Sequence, residues 1–431
     1  MEKLFQLRNH GTTVRKELAA GLTTFLTMAY ILAVNPGMLG SIGNGMTAPA
    51  VFTATVIGSA VATLMMAFTA NLPVALAPGM GLNAFFTYTV VLGQGYSWKI
   101  ALTAVFLEGI LFILLSLVNV RELIIKAIPA NLKKAVAVGI GLFITLIGLE
   151  NAGVVVGDPA TLVTLGALTS GPALLALIGL VIILILYTRK VPGAILLGIL
   201  ITTIIGIPLK VTAIPEGFSP FSLPAAPLFL QFDLSGIFSF KFFTIFFTFL
   251  FVDIFDTVGT LVGVATQAGL INKNGEIPRV KQALLSDAVG TVVGAALGTS
   301  TVTSYVESTA GVASGGRTGL TAATTGILFL AALFLSPLFL LIPSAATAPA
   351  LVIVGFFMMR SVTSIDFTDP TEGIPAFLSI IMMPFAYSIA EGIVYGVLSF
   401  VLLKAAMGRF KDVSIVTWIL FAIFILRFFI K

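Results

Sequence analysis

The sequence predicts an all-α polytopic membrane protein with about fourteen transmembrane spans, arranged as two inverted repeats of seven. The chain is 58% hydrophobic and only 10% charged, whereas soluble domains are about 25% charged. Apolar stretches close to the ~20 residues that a helix needs to cross a bilayer recur along the whole chain. A proline-rich polar stretch near the middle leaves seven spans on each side, and an odd number per half inserts the two halves with opposite topology.

The spans are predicted from apolar runs that polar, glycine or proline residues separate. They cover residues 17–39, 49–70, 74–92, 98–118, 133–150, 171–188, 192–208, 240–263, 282–298, 300–315, 318–336, 345–360, 374–387 and 389–406. The dividing stretch covers residues 209–239. A last apolar stretch, residues 413–430, contains Arg427, which would be costly deep in lipid. This stretch could form a fifteenth span or an interfacial helix, and we favour the interfacial helix.

The basic residues predict the orientation of the chain. If the N-terminus is cytoplasmic, all but five of the 23 Lys and Arg residues fall on the cytoplasmic side. Lys99, Lys210 and Lys241 fall outside, and Arg427 and Lys431 belong to the last apolar stretch. Because positive charge is enriched in cytoplasmic loops, this bias predicts a multi-pass protein of the cell membrane. It also explains the net charge of +5 without any binding of nucleic acid.

The residue composition excludes several classes of function. The chain has no cysteine, and its single histidine, His10, lies in the N-terminal tail. Thiolate chemistry, disulfides and Cys/His metal centres are therefore excluded, and an intramembrane enzyme would lack a nucleophile–base pair. No Gly-x-x-x-x-Gly-Lys-[Ser/Thr] phosphate loop occurs. We expect no enzymatic activity and no cofactor, and any transport would be driven by an ion gradient or by the substrate gradient.

The third span of each half is interrupted. Residues 72–86 contain two prolines and two glycines that break the start of a helix. Residues 298–311 begin with a Ser/Thr-rich run that favours extended backbone. Each predicts a short strand followed by a half-helix, which would begin at about Gly79 and Ser304; ordinary helix kinks are the alternative. Matching interruptions in two halves indicate a transporter binding site, because unpaired backbone groups at membrane depth are tolerated only around a cavity.

Three acidic residues inside the spans are candidates for the chemistry of that site. Asp253 and Asp256 lie three residues apart and so share one helix face, which Thr257 and Thr260 extend as a polar stripe. Glu307 falls near the start of the second half-helix, where the helix dipole favours a carboxylate. Because acidic groups within the bilayer are costly and mark function, we expect these three to bind a polar ligand or a proton. Asp253 could instead brace Asp256.

Three further acidic residues have weaker functional expectations. Glu108 lies in the middle of a span and could be functional or structural. Glu150 ends a span and is expected to be solvated. Glu391 opens the fourteenth span beside a turn, where a role in helix capping is expected.

Four segments carry a resemblance to a known family: residues 21–36 (GLTTFLTMAYILAVNP), 77–86 (APGMGLNAFF), 249–263 (FLFVDIFDTVGTLVG) and 300–319 (STVTSYVESTAGVASGGRTG). Along nearly its whole length the chain resembles the AzgA-like purine permeases of the nucleobase–cation symporter-2 family. The resemblance implies a uracil-permease-like fold, with short strands in spans 3 and 10 and the substrate between them.

The same resemblance implies two moving parts, a core domain of spans 1–4 and 8–11 and a gate domain of spans 5–7 and 12–14. The implied boundaries are a cytoplasmic N-terminal tail at 1–16, core at 17–118, gate at 119–208, an extracellular or interfacial linker at 209–239, core at 240–336, gate at 337–406 and a C-terminal tail at 407–431.

The resemblance also implies the site residues. The acidic residue of span eight falls on Asp256, the glutamate of span ten on Glu307, and the polar residue of the span-three half-helix on Asn83. Thr260 stands where uracil-type relatives have histidine, which fits the purine branch but departs from their proton chemistry. The expected substrate-binding set is Asp256, Glu307, Asn83, Gly81, Met80, Thr260, Ser304, Tyr305 and Ser308, and the expected proton-coupling set is Glu307, Asp256 and Asp253.

The implied activity is import of a purine nucleobase (hypoxanthine, guanine or adenine) with a proton, by alternating access across the lipid bilayer. Related transporters are often dimers, so a homodimer is expected by analogy alone. Two alternatives stay open. An anion carrier on the same fold would favour a basic residue in its site, which two acidic residues argue against. A passive channel would lack proton coupling.

Overall fold

The computed structural model describes residues 2–117, 129–169, 171–271 and 277–429. Over these ranges, ten helical segments are long and apolar enough to cross a membrane by length and composition, which confirms a helical membrane protein. They coincide with predicted spans 1, 2, 4–6, 8, 9, 11, 12 and 14, and the other four positions hold shorter elements. The expected cytoplasmic residues Arg121, Lys126 and Lys273 lie outside the described residues.

The first half of the chain contains nine helices and three strands among the described residues. They are α1 Glu2–Phe5, α2 Val14–Met28, α3 Ile31–Gly40, α4 Ala48–Met65, β1 Leu76–Pro78, α5 Met80–Ala84, α6 Trp98–Leu117, α7 Ala130–Asn151, β2 Val155–Asp158, β3 Leu162–Leu165, α8 Gly171–Thr188 and α9 Ala194–Gly206. Two π-helical stretches, Met66–Ala70 and Phe85–Gly93, continue α4 and α5.

The second half follows the irregular stretch at 209–239 and contains nine helices and one strand in the described part. They are α10 Phe240–Gln267, α11 Val280–Leu297, β4 Val302–Ser304, α12 Ser308–Ala313, α13 Gly319–Ala332, α14 Ser336–Leu340, α15 Ser344–Met359, α16 Pro370–Phe385, α17 Ile389–Ala406 and α18 Ile415–Phe429. Side-chain caps define several helix starts. Ser239 caps α10 through the N–H of Phe242, for example, and Ser388 caps α17 through the N–H of Glu391.

Two features of the fold were not predicted. The first span is broken at Ala29 and Tyr30 into α2 and α3. Between the fifth and sixth spans, β2 and β3 form an antiparallel hairpin in which Val155 pairs with Leu165 and Asp158 with Leu162. The break in the first span matters for function, because it lies against the second half-helix.

The two predicted strands are present, and they pair with each other. β1 and β4 are antiparallel, with Leu76 opposite Ser304 and Pro78 opposite Val302. All six residues are buried. A two-stranded sheet leaves one edge of each strand without a ladder partner, and such groups need another partner at membrane depth.

A threonine from the preceding helix of each half meets this need. The hydroxyl of Thr63 on α4 accepts from the N–H of Leu76 at 2.9 Å and donates to its carbonyl at 3.1 Å. Thr291 on α11 does the same for Val302, at 3.2 Å and 2.9 Å. The two threonines occupy corresponding positions, each in the second span of its half.

The helices pack in two groups around these strands. α2, α4, α6, α11 and α13 pack on one another, and α10 and α12 join them through α6 and α2. α7, α8, α9, α15, α16 and α17 pack on one another in a second group. Glycine allows a close approach in the second group, since a Cβ on Gly141 of α7 would lie 2.7 Å from the carbonyl oxygen of Gly355 on α15.

Candidate functional site

The strand pair leads into two short helices, and the candidate site lies where they begin. Gly79 has extended backbone and is the N-cap of α5, as predicted. The second half-helix begins at Ser308, so the prediction of a start at Ser304 was wrong. Ser304 still belongs to β4, and a turn at residues 305–307 separates strand from helix. Glu307 is therefore the N-cap of α12, one residue before the helix rather than inside it.

Glu307 contacts the break in the first span. The hydroxyl of Tyr30 donates a hydrogen bond of 2.7 Å to Glu307 Oε1. One turn earlier, the Thr27 hydroxyl lies 3.5 Å from the main-chain oxygen of Glu307. Tyr30 is only 1% exposed. One face of the first span therefore holds both the side chain and the backbone of Glu307.

Glu307 also lines a cavity with a volume of about 620 Å³. One wall comes from α2 and from Val306 to Ser314, and the other from the α8–α9 junction and the end of α15. Its polar lining includes Thr23, Thr27, Thr188, Lys190, Glu307, Thr309, Ser314 and Arg360. The cavity thus lies between the two helix groups, and its size falls within the roughly 300–1,000 Å³ of ordinary ligand pockets.

Asp256 approaches the same junction from α10. A Cβ on Gly79 would lie 3.7 Å from Asp256 Oδ2, so this carboxylate borders the start of α5. The charges of Asp256 and Glu307 are close enough to interact with each other and with the hydroxyls of Tyr30 and Tyr305. The structure therefore brings together the two carboxyl groups that the sequence singled out.

The other predicted ligand-binding side chains mostly hold the strands in place. Tyr305 donates to the carbonyl oxygen of Pro78 at 2.5 Å, and Ser308 Oγ accepts from the N–H of Ala75 at 3.0 Å. Asn83 bonds to the hydroxyl of Ser300 and, at 3.4 Å, to the carbonyl of Pro78. These residues connect the two half-helices across the strand pair.

Three further predicted residues are buried in the same region. Met80 and Thr260 are 5% and 8% exposed. Gly81 allows a close approach of α7, because a Cβ there would lie 2.5 Å from a methyl carbon of Ile140. Its role in the structure is thus to let a helix of the second group approach α5.

A second set of carboxyl groups, the buried acid cluster, comprises Asp253, Asp287 and Glu108. All three are fully buried. The hydroxyl of Thr257 donates to Asp287 Oδ1 at 2.8 Å and lies 3.5 Å from Asp253 Oδ1. Glu108 Oε1 accepts from Thr301 at 2.9 Å, and Glu108 lies close enough to Asp287 for the two carboxyl groups to influence each other electrostatically. This cluster lies beside the residues of β4, since Asp287 also accepts from Ser304 at 3.2 Å.

Sequence reasoning missed two members of this region. Asp287 lies inside the predicted span 282–298, so the rule that singled out Asp253 applies to it equally. Tyr30 gave no comparable signal, because a single tyrosine in an apolar helix is usually a packing residue. Of the weaker candidates, Glu150 is exposed and accepts from Tyr387 at 2.8 Å, and Glu391 lies in the first turn of α17 beside its Ser388 cap. No group of three or more His, Cys, Asp or Glu among the described residues could hold a metal ion.

Comparisons with known proteins agree with the purine-permease resemblance. The Permease family model Xan_ur_permease matches residues 15–395. The guanine/hypoxanthine permease PbuG of Bacillus subtilis is 47% identical over 441 residues, which cover 99% of each chain. The adenine permease AdeP of Escherichia coli is 45% identical over 434 residues, covering 99% of this chain and 95% of that one.

A solved structure shares the fold. The transmembrane domain of the cyanobacterial bicarbonate transporter BicA matches with a TM-score of 0.66 and 18% sequence identity, covering 89% of this chain and 97% of that one. At this identity the likeness concerns the fold alone.

Proposed function

Because the chain belongs to the Permease family, whose model matches residues 15–395, we propose that it is a secondary active transporter of purine nucleobases. It imports hypoxanthine, guanine or adenine together with protons across the cell membrane by alternating access. Relatives named for guanine/hypoxanthine and for adenine match it over 99% of its length. The observation that carries the proposal is the meeting of Glu307 and Asp256 beside the paired strands, with Glu307 facing a cavity.

The proposed binding mode follows from the hydrogen-bonding groups of a purine. The Glu307 carboxylate accepts a ring N–H of the base, and Asp256 contacts the opposite polar edge or takes the coupling proton. First-turn N–H groups of α5 at Met80 and Gly81 have no acceptor within their helix and can bind ring nitrogens or carbonyl oxygens. Tyr305 adds an aromatic surface near the base.

The remaining predicted site residues support this mode indirectly. The strands and half-helices are kept in register by Asn83, Ser304 and Ser308. Thr260 is the last residue of the polar stripe that contains Asp256. We propose the buried acid cluster as part of proton coupling, with Asp253 and Asp287 linked through Thr257 to the strand that leads to Glu307.

Two observations support inverted repeats and alternating access. Thr63 and Thr291 make the same pair of backbone bonds to β1 and β4 from corresponding helices, as related halves would. The two helix groups correspond to the proposed core and gate domains, and the cavity lies between them. With the N-terminus cytoplasmic, the cavity-lining residues Lys190 and Arg360 would face the cytoplasm, which supports the proposal of fourteen spans in an inward-open state.

The likeness to BicA does not make this protein a bicarbonate carrier. Fold similarity at 18% identity leaves the ligand open, and the junction of the half-helices carries two carboxyl groups. These groups repel an anion and suit a ligand with N–H donors.

The test is uptake of radiolabelled hypoxanthine by cells that lack their own purine permeases. Unlabelled adenine, guanine, xanthine and uracil serve as competitors, with and without a protonophore. We expect uptake that purines block, that uracil does not block and that the protonophore reduces. No uptake of any base by correctly inserted protein overturns the substrate class.

The variant Glu307→Gln tests the site itself. It removes the charged acceptor but keeps the size of the side chain, so we expect uptake to fall roughly 10- to 150-fold, as for a lost hydrogen bond to a charged group. Glu150→Gln is the matched control, because Glu150 is exposed and bonds only to Tyr387 among the contacts described. Normal uptake by Glu307→Gln in correctly inserted protein contradicts the assignment.

A further inference from the structure

The break in the first span brings a tyrosine hydroxyl to the carboxylate that the proposed function assigns to base binding. Tyr30 lies between α2 and α3 and donates to Glu307 Oε1 at 2.7 Å. Hydrogen bonds to a charged acceptor are about twice as strong as neutral ones. A tyrosine that is 1% exposed also needs a partner for its hydroxyl. This bond is therefore a fixed part of the site rather than an incidental surface contact.

The hydrogen bond from Tyr30 gives the two carboxylate oxygens of Glu307 different roles. Glu307 and Thr27 line the cavity, whereas Tyr30 is not among the cavity-lining residues of the described chain. Tyr30 thus holds Oε1 from outside that lining, and Oε2 is the carboxylate oxygen that this hydrogen bond does not engage. The terminal torsion of a glutamate is broad and roughly two-fold, so without this bond the carboxylate would sample several orientations.

We propose that Tyr30 is a positioning residue for base binding, whose hydroxyl fixes Glu307 so that Oε2 faces the cavity and accepts one ring N–H of the purine. The inference rests on the proposed function and names a residue beyond the predicted site. Ligand affinity depends on such orientation, because a donor and acceptor held in the correct geometry lose less freedom on binding.

Tyr30 stands at the break of the first span itself, since α2 ends at Met28 and α3 begins at Ile31. Thr27 and Tyr30 are three residues apart and share one face of the helix. Through this face the first span touches Glu307 at its carbonyl and at its carboxylate.

The experiment measures hypoxanthine uptake kinetics for the variant Tyr30→Phe. Phenylalanine keeps the ring and removes only the hydroxyl, so we expect KM to rise about 10-fold while the maximal rate per transporter stays within two-fold. A role limited to packing would lower the maximal rate and the amount of inserted protein instead. Tyr88→Phe is the matched control. The Tyr88 hydroxyl accepts a hydrogen bond of 2.7 Å from Asn151 and makes none with Glu307 among the contacts described.

A second arm tests whether Tyr30 acts through Glu307. Glu307→Asp keeps the charge but withdraws the carboxylate from Tyr30 by one methylene. In that background we expect Tyr30→Phe to change KM less than two-fold, since the contact is already lost. An equal 10-fold rise in both backgrounds overturns the positioning role, as does an unchanged KM for Tyr30→Phe alone. Absence of purine uptake by the wild-type protein overturns the proposed function instead, so the two failures are distinguishable.

Discussion

An ion-pair network around Asp369 shows how single charged residues fix the start of α16. Lys404 is 1% exposed, and its Nζ lies 2.7 Å from Glu372 and 3.8 Å from Asp369 Oδ2. Arg409 lies 2.8 Å from the same Oδ2 and 2.7 Å from Asp412. A buried ammonium group is costly unless it is paired. The network therefore lets α17 carry Lys404 into a buried position, and it ties the end of α17 to the cap of α16.

Asp369→Asn is expected to weaken the protein in a pH-dependent way. Hydrogen bonds from Arg409 and Thr371 hold the pKa of Asp369 well below its ordinary value. The carboxylate therefore stabilises the fold at neutral pH, and this contribution is lost as the pH falls below about 4. At pH 7 we expect the variant to unfold about 1–3 °C lower than the wild type, since Lys404 still pairs with Glu372 and Arg409 with Asp412.

The measurement is thermal unfolding of purified protein in detergent at a series of pH values. The difference between the wild type and Asp369→Asn should shrink as the pH falls from about 4 toward 3. Glu216→Gln, in the irregular linker, controls for loss of an exposed carboxylate. A difference that stays constant or grows at low pH would contradict the expected role of Asp369.

Residue patterns predicted the site residues that place a charged group inside an apolar span. They failed to predict site residues that do not. Asp256 and Glu307 were found because a carboxyl group inside an apolar helix is unfavourable without a function. Asp287 obeys the same rule and was overlooked. Glu17 was not considered as a functional or structural residue, yet it is buried and its carboxylate accepts from the N–H groups of Arg317, Thr318 and Thr321. Tertiary capping of this kind has no signal in local sequence.

The paired strands are the element that defines the centre of the fold. A two-stranded sheet is marginally stable by itself, and β1 and β4 pair over only three residues each. Thr63 and Thr291 complete them by bonding to both backbone groups of Leu76 and Val302. The two threonine hydroxyls thus take the place of a neighbouring strand, so the backbone N–H and carbonyl groups of Leu76 and Val302 are hydrogen-bonded in the apolar interior.

Thr291→Val is expected to destabilise the second strand. Valine has nearly the same shape but no hydroxyl, so the N–H and carbonyl of Val302 lose their partner. An unsatisfied buried polar group costs about 1–3 kcal/mol, and we expect the unfolding temperature to fall by roughly 3–6 °C. Thr63→Val should behave alike through Leu76. The readouts are thermal unfolding and hypoxanthine KM, which should rise because β4 leads to Glu307.

Thr266→Val is the matched control for both substitutions. Thr266 is exposed on α10, and its hydroxyl bonds to the carbonyl of Val262, which already belongs to the helix. It should unfold within about 1 °C of the wild type. Equal stability of Thr291→Val and Thr266→Val would show that the strand does not depend on the threonine hydroxyl.

At the level of elements, the sequence located the interruptions in spans three and ten but not every strand and helix boundary within them. Pro73, Pro78 and the neighbouring glycines correctly predicted a half-helix after Gly79. The later start of α12 at Ser308 was missed, because hydrogen bonding between β1 and β4 extends the strand through Ser304. The break at Ala29 and Tyr30 has no proline or glycine at these two positions, so local sequence did not locate it. Pairing between distant segments decided where β4 ends and α12 begins.

The whole molecule has two helix groups with the cavity between them. The side of the membrane from which a reagent reaches that cavity tests both the membrane topology and the conformational state of the transporter. The chain has no cysteine, so a single introduced cysteine reports on one position. Ser314 lines the cavity, and Thr161 is exposed in the β2–β3 turn. If the N-terminus is cytoplasmic and the cavity opens inward, these two positions face opposite sides of the membrane.

We therefore expect a membrane-impermeant thiol reagent to label Ser314→Cys in inside-out vesicles and Thr161→Cys in right-side-out vesicles. A thiol reacts through its thiolate and needs access to water, so a position buried in lipid or protein reacts with neither preparation. Added hypoxanthine should slow labelling of Ser314→Cys, because the base occupies the cavity or favours closure of the two helix groups. Labelling of Ser314→Cys from the outside alone would reverse the orientation. Labelling of both cysteines from one side would contradict an odd number of spans between them, and with it the inverted arrangement of the two halves.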